Sequence, residues 1–174
     1  HEHESDEHVW LSLHNAEVIC RDINEKLGAL DPANAEIYTE NTESYCEKLN
    51  KLNSEYKAAV EDASVKTLLF GDRFPFRYLV DDYNLDYYAA FAGCSAETEA
   101  SFDTLKELSN VVKEDKPTGV FVTETGDDSL AKTVIANSGE DNIEIIKVNS
   151  MQSIPKGEAR GYLEIMEENL NALK

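Results

Sequence analysis

The chain has 174 residues, 16 of them Lys or Arg against 35 Asp or Glu, for a net charge of −19 at pH 7. A field of that sign repels nucleic acid and anionic membrane surfaces and draws cations, although acidity of this kind also serves plain solubility. No run of 18 or more apolar residues is present, which leaves no membrane-spanning helix, and the length suffices for one domain that buries its own core without a disulfide scaffold or structural metal.

The first residues, His1-Glu2-His3-Glu4, carry neither an initiator Met nor a signal peptide, as expected of a mature or trimmed piece whose targeting segment has been removed. Residues 1–11 read as an acidic, His-rich tail and entry segment. His1, His3 and His8, with Glu2, Glu4, Asp6 and Glu7 between them, form a dense set of potential metal ligands. For His1 and His3 a solvated chain end is the default reading. His8 differs because Val9-Trp10-Leu11 follow at once and tie it to a folded element.

Residues 12–62 read as a helical hairpin. Ala16, Ile19, Cys20, Ile23 and Leu27 recur at helical spacing, with Ser12 as N-cap and Gly28 as the stop. Asp31-Pro32 then signals a second start. Tyr38, Tyr45, Leu49, Leu52, Tyr56 and Val60 make one apolar stripe through charged sequence, so a single spine helix from Pro32 to about Asp62 is expected, roughly 45 Å long.

Residues 63–174 change character. Thr67 to Phe70, Tyr87 to Phe91, Val120 to Thr123 and Ile143 to Val148 read as strands, and Pro75 to Asp82, Phe102 to Glu114, Ser129 to Asn137 and Glu158 to Ala172 as helices. The alternation predicts an α/β fold: a mainly parallel four-stranded sheet flanked by helices, with the long spine helix at its N-terminal side, forming one folded unit overall. Cys20, Cys46 and Cys94 show no zinc-finger spacing. Cys20 and Cys46 fall on successive helices where a disulfide is permitted, with buried free thiols the preferred reading.

Ligands of open parallel sheets bind beyond the carboxyl ends of the strands. Those ends carry Gly71-Asp72-Arg73, Gly93-Cys94-Ser95 and Glu124-Thr125-Gly126-Asp127-Asp128. Carboxylates with an imidazole suit a divalent cation. Asp127 and Asp128 are read as caps of the following helix, whereas Asp72 and Glu124 are divided between metal ligation and an ion pair with Arg73. His14 reads as a surface or capping residue, and Phe74, Phe76, Tyr78, Tyr87, Tyr88 and Phe91 read as packing. No GxGxxG, P-loop, GxSxG or HExxH motif occurs.

Several strings, in order along nearly the whole chain, resemble the zinc and manganese solute-binding proteins of ABC importers, including the zinc-uptake and adhesin-like lipoproteins. Asp6-Glu7-His8-Val9-Trp10-Leu11-Ser12 is similar to the family's DPHVWLSP string, in which the histidine ligates the metal. Leu30-Asp31-Pro32, Phe76 to Leu85, CSAETEAS from Cys94, FVTE from Phe121 and YLEIMEENLNAL from Tyr162 follow collinearly. The resemblance implies the carboxy-terminal lobe of an extracytoplasmic protein, a cell-surface lipoprotein or periplasmic, that binds zinc, with manganese possible, and passes it to an ABC permease without chemical conversion. It implies His8 and Glu124 as metal ligands and a further ligand from an amino-terminal lobe outside this chain, with Asp72 joining them where the sequence departs from the family. A monomer is expected and nucleic acid is not a partner.

Arg73 stands where zinc members carry a histidine, and arginine offers only donors. Three explanations remain: Asp72 replaces that histidine, which is favoured; the site is rearranged around His8 and Glu124; or the ligand has changed. Cys94 could offer a soft ligand but is read as structural. Rival functions are a surface interaction module on the same fold without its metal, and magnesium-dependent phosphoryl chemistry at Asp72, which lacks a phosphate-cradling loop.

Overall fold

The computed structural model describes residues 6–91, 100–154, 156–157 and 159–174. After a 3-10 turn at Val9–Leu11 come helix α1 (Leu13–Leu30), a second 3-10 turn (Pro32–Asn34) and the spine helix α2 (Ala35–Asp62). Then β1 (Thr67–Arg73), α3 (Arg77–Tyr83), β2 (Asp86–Phe91), α4 (Phe102–Asp115), β3 (Gly119–Thr123), α5 (Ser129–Ser138), β4 (Glu144–Val148) and α6 (Tyr162–Leu173) alternate. All four expected strands and the α/β class are present.

Local chemistry explains the boundaries. Ser12 caps α1, its hydroxyl accepting from the Asn15 amide at 3.0 Å, and Ser101 does the same for α4 through Thr104 at 3.1 Å. The α1 stop expected at Gly28 is corrected: the helix runs through Gly28 to Leu30, because a glycine in αR backbone costs only about 1 kcal/mol against alanine. Asp31 ends α1 instead, donating its amide to Leu27 O and gathering Asn34 and Tyr38 on its carboxylate. Helix α3 starts two residues after Pro75, at Arg77. Helix α6 opens behind Gly161, and the start expected at Glu158 falls outside the described residues.

The sheet order is β2-β1-β3-β4, every pairing parallel. From β1 the chain steps outward to β2, then returns past β1 to β3, so the direction of winding reverses between β1 and β3. On one face α2, α3 and α6 bury Leu49, Leu52, Tyr56, Phe70 and Met166 in one core, with α1 packed on α2. On the other, α4 and α5 bury Leu69, Leu108, Val112, Val122 and Val134. At Gly71 in β1 a Cβ would stand 2.6 Å from Cβ of Ala131, so only glycine lets α5 approach the strand this closely. Phe74, Phe76 and Phe91 are packing residues as expected, and Phe74 stacks on Tyr87 with centroids 3.8 Å apart.

Cys20 and Cys46 are free thiols on the facing helices α1 and α2, Cys46 buried and Cys20 half-buried. Cys94 lies outside the described residues, as do His1 and His3.

Candidate functional site

The β1/β3 reversal is where an open parallel sheet leaves a crevice beyond its strand ends. A cleft of about 830 Å³ lies there, bordered by Asp72 and Arg73 of β1, Thr123 of β3, Asp127, Ser129 and Gln152.

Asp72 is only 6% exposed. One of its oxygens, Oδ2, accepts from the Thr123 hydroxyl at 2.5 Å and from the Thr123 amide at 3.2 Å. Burying a carboxylate is costly without such donors. A Cβ on Gly126 would collide with this carboxylate and with Thr123 Oγ1, so the β3–α5 turn closes over Asp72 only because residue 126 lacks a side chain.

His8 is 2% exposed, at the threshold of the first 3-10 turn. Asp6 Oδ1 lies 2.6 Å from Nδ1 and also accepts the His8 amide at 2.9 Å. The arrangement selects the tautomer with the proton on Nδ1 and the lone pair on Nε2, which meets the side-chain amide of Gln152. The Trp10 ring packs edge-on against the imidazole with centroids 5.4 Å apart, and Tyr78 Oη donates to Asp6 O at 2.9 Å.

Glu124 is half-buried and both its oxygens serve one partner, Oε2 accepting from the Ser150 amide at 2.8 Å and Oε1 from its hydroxyl at 2.9 Å. Among the described residues, neither Asp72 nor Glu124 pairs with Arg73, whose guanidinium carbon stands 5.7 Å from the Phe91 ring centroid. The capping role expected of Asp127 and Asp128 divides: Asp127 Oδ1 accepts from the Ser129 amide at 2.9 Å, while Asp128 pairs with Lys132 at 2.9 Å, which holds its carboxyl below the usual range. His14 is exposed, as expected of a surface residue.

His8, Asp72 and Glu124 thus border one end of the sheet without forming a ready ligand set. Among the described residues, no group of three or more His, Cys, Asp or Glu side chains is placed to hold a metal ion. The sequence reading named Asp6 as a potential ligand and not as the group that orients His8, and it missed Gln152, which joins His8 to the cleft. A signal for Gln152 existed: it follows the carboxyl end of β4, the same kind of position that marks Asp72 and Glu124.

A parallel α/β unit with a polar cleft at its winding reversal has the geometry in which folds of this class bind their ligands. The family model described as zinc-uptake complex component A periplasmic (ZnuA) matches residues 1–174, and the chain belongs to that family. It is 32% identical to the zinc-binding lipoprotein AdcA of Streptococcus pneumoniae, the match covering 100% of this chain and 34% of AdcA. Among solved structures, the Zn(II)-bound ZnuA-like domain of Streptococcus pneumoniae AdcA superposes with a TM-score of 0.75 at 30% identity, over 99% of this chain and 64% of that one. The laminin-binding protein Lmb of Streptococcus agalactiae, described as bifunctional with adhesin and metal transporting activity, gives a TM-score of 0.82 at 25% identity, over 97% of this chain and 63% of that one. The chain spans about a third of the length of the curated relatives it matches first.

Proposed function

We propose that this chain is the metal-capturing lobe of an extracytoplasmic solute-binding protein, lipoprotein or periplasmic, that takes up a divalent cation and hands it to an ABC permease. Zinc is the first candidate and manganese the second. Family membership, the naming of AdcA as a zinc-binding lipoprotein and the Zn(II)-bound state of its solved domain support the reading.

The observation that carries it is the Asp6–His8 pair. A metal-binding imidazole typically gives its other ring N–H to a carboxylate, which fixes the tautomer and raises the basicity of the ligating nitrogen. His8 has that arrangement, buried beside the cleft. In the proposed site Nε2 of His8 is the anchoring ligand and Asp72 supplies an oxygen from β1. Glu124 is the third candidate ligand, reached only by giving up its bonds to Ser150. Further ligands come from the part of the protein this chain does not span. The net charge of −19 favours cation encounter over the whole surface.

Calorimetric zinc titration of the chain beside its His8→Ala variant tests this, with His1 and His3 retained in both. Loss of the tightest binding event in the variant is the expected result. Equal binding by both proteins places the zinc elsewhere and overturns the assignment.

A further inference from the structure

The Asp6 carboxylate takes the proton-bearing nitrogen of His8, so the lone pair of Nε2 is the one coordinating position the imidazole has left to give. In this structure that position meets the Gln152 side-chain amide, whose N–H is the donor that an imidazole lone pair requires. A single lone pair serves one partner at a time. An amide hydrogen bond and a metal–nitrogen bond at Nε2 are therefore mutually exclusive.

The segment carrying Gln152 is held so that this contact is made. Asn149 and Asn169 of α6 bind each other reciprocally: the Asn149 amide donates to Asn169 Oδ1 and Asn169 Nδ2 donates to Asn149 O, both at 2.8 Å. Ser150 is 1% exposed, clasped twice by Glu124, and its carbonyl accepts from Trp10 Nε1 at 2.9 Å. Trp10 belongs to the same turn as His8, so one clamp fixes both partners of the contact in register. Between Ser150 and Gln152 stands Met151, its amide donating to Asn149 Oδ1 at 2.8 Å and its φ at +56°, a left-handed conformation that an unbranched non-glycine residue holds only at some cost. The backbone is thus held through Gln152, whose backbone amide reaches Ser150 Oγ at 3.4 Å, and it bears strain at the residue that aims the Gln152 side chain.

We propose that Gln152 guards the cation site: its side-chain amide caps Nε2 of His8 in the empty protein, and an incoming cation binds by displacing that side chain while the backbone stays held. Gln152 also borders the cleft with Asp72, so the displaced amide has room along the same wall. The guard competes with every cation alike, setting a threshold for capture and easing release as it returns. The inference rests on the cation-capture reading given above.

Zinc binding by wild type, Gln152→Ala and His8→Ala is compared by competition with a chromophoric chelator and by stopped flow. One neutral hydrogen bond is worth about 1 kcal/mol, so Gln152→Ala is expected to bind zinc roughly fivefold tighter and with a faster association step. Weaker binding by Gln152→Ala overturns the proposal and makes the amide oxygen a ligand; unchanged affinity and rate overturn it by showing no competition. If His8→Ala binds zinc as wild type does, the capture reading itself fails, a different result from either of these. In the zinc-free proteins, the His8 Nε2 nitrogen resonance is expected to shift in Gln152→Ala, and a resonance that stays in place overturns the contact independently of metal.

Discussion

Asp6 and His8 are joined twice, through the imidazole Nδ1 at 2.6 Å and through the His8 amide at 2.9 Å, both on the same carboxylate oxygen. One residue therefore sets the backbone, the tautomer and the ring orientation of the proposed ligand. Asp6→Ala is expected to lower zinc affinity by about 10- to 100-fold, the usual consequence of removing a partner that orients a ligating histidine. Chelator competition reads this out, and circular dichroism checks that the fold is kept. An unchanged affinity removes Asp6 from the site.

Gly126 bears on Asp72 in the same indirect way. A methyl group there cannot coexist with the observed carboxylate and the Thr123 hydroxyl, so either the turn opens or Asp72 leaves Thr123. Gly126→Ala is expected to destabilise the protein by about 1–3 kcal/mol, the common range for overpacking a buried site. Urea unfolding measures it, and a variant as stable as wild type shows that the turn is looser than its geometry implies.

These two sites show what the sequence made legible. Asp31-Pro32 and the Tyr38-to-Val60 stripe gave the spine helix because capping chemistry and 3.6-residue periodicity act locally. The four strands were legible as short apolar runs of the kind a doubly covered sheet needs. Gly28 misled, since its helical cost is small and α1 continues through it to Leu30. His8, Asp72 and Glu124 were found as residue types at strand ends or in a familiar string, but their partners were not. Thr123 and Ser150 hold carboxylates 51 and 26 residues away in the chain, and no local pattern encodes such pairings.

The two described cysteines give a test of the hairpin. Burial, chiefly, pushes the Cys20 thiol up, aided by the neighbouring Cys46 and Glu17, and burial likewise raises Cys46. The thiolate is the reactive form, so at any given pH the folded protein holds less of it than an unfolded chain does. Alkylation of both residues at pH 8 is expected to be slower in the native protein than in urea, with both fully labelled once unfolded. Mass spectrometry of the labelled peptides checks this. A Cys20–Cys46 pair that resists labelling in urea until reduced would show that the thiols are bridged.

Tyr56 ties the spine helix to the last helix and yields a pH-dependent prediction. It is 0% exposed, donates its hydroxyl to Met166 O at 2.6 Å and stacks on Tyr83 with ring centroids 5.1 Å apart. Burial raises its pKa, and the phenols of Tyr83 and Tyr162 are raised from the same cause. For a neutral acid raised on folding, the stabilisation is complete below the unfolded value near pH 10 and is lost as pH climbs towards the folded one. Unfolding free energy is therefore expected to fall above about pH 10, each buried phenol adding about 1.4 kcal/mol per pH unit to the slope. Tyr56→Phe should cost about 1 kcal/mol at pH 7 through the lost hydrogen bond, and should make the alkaline decline shallower by one proton's worth. Urea titrations from pH 7 to 11 measure both quantities. A variant with the wild-type slope would mean that Tyr56 ionises in the folded protein as readily as in the unfolded one, and the buried bond to Met166 would lose its assigned role.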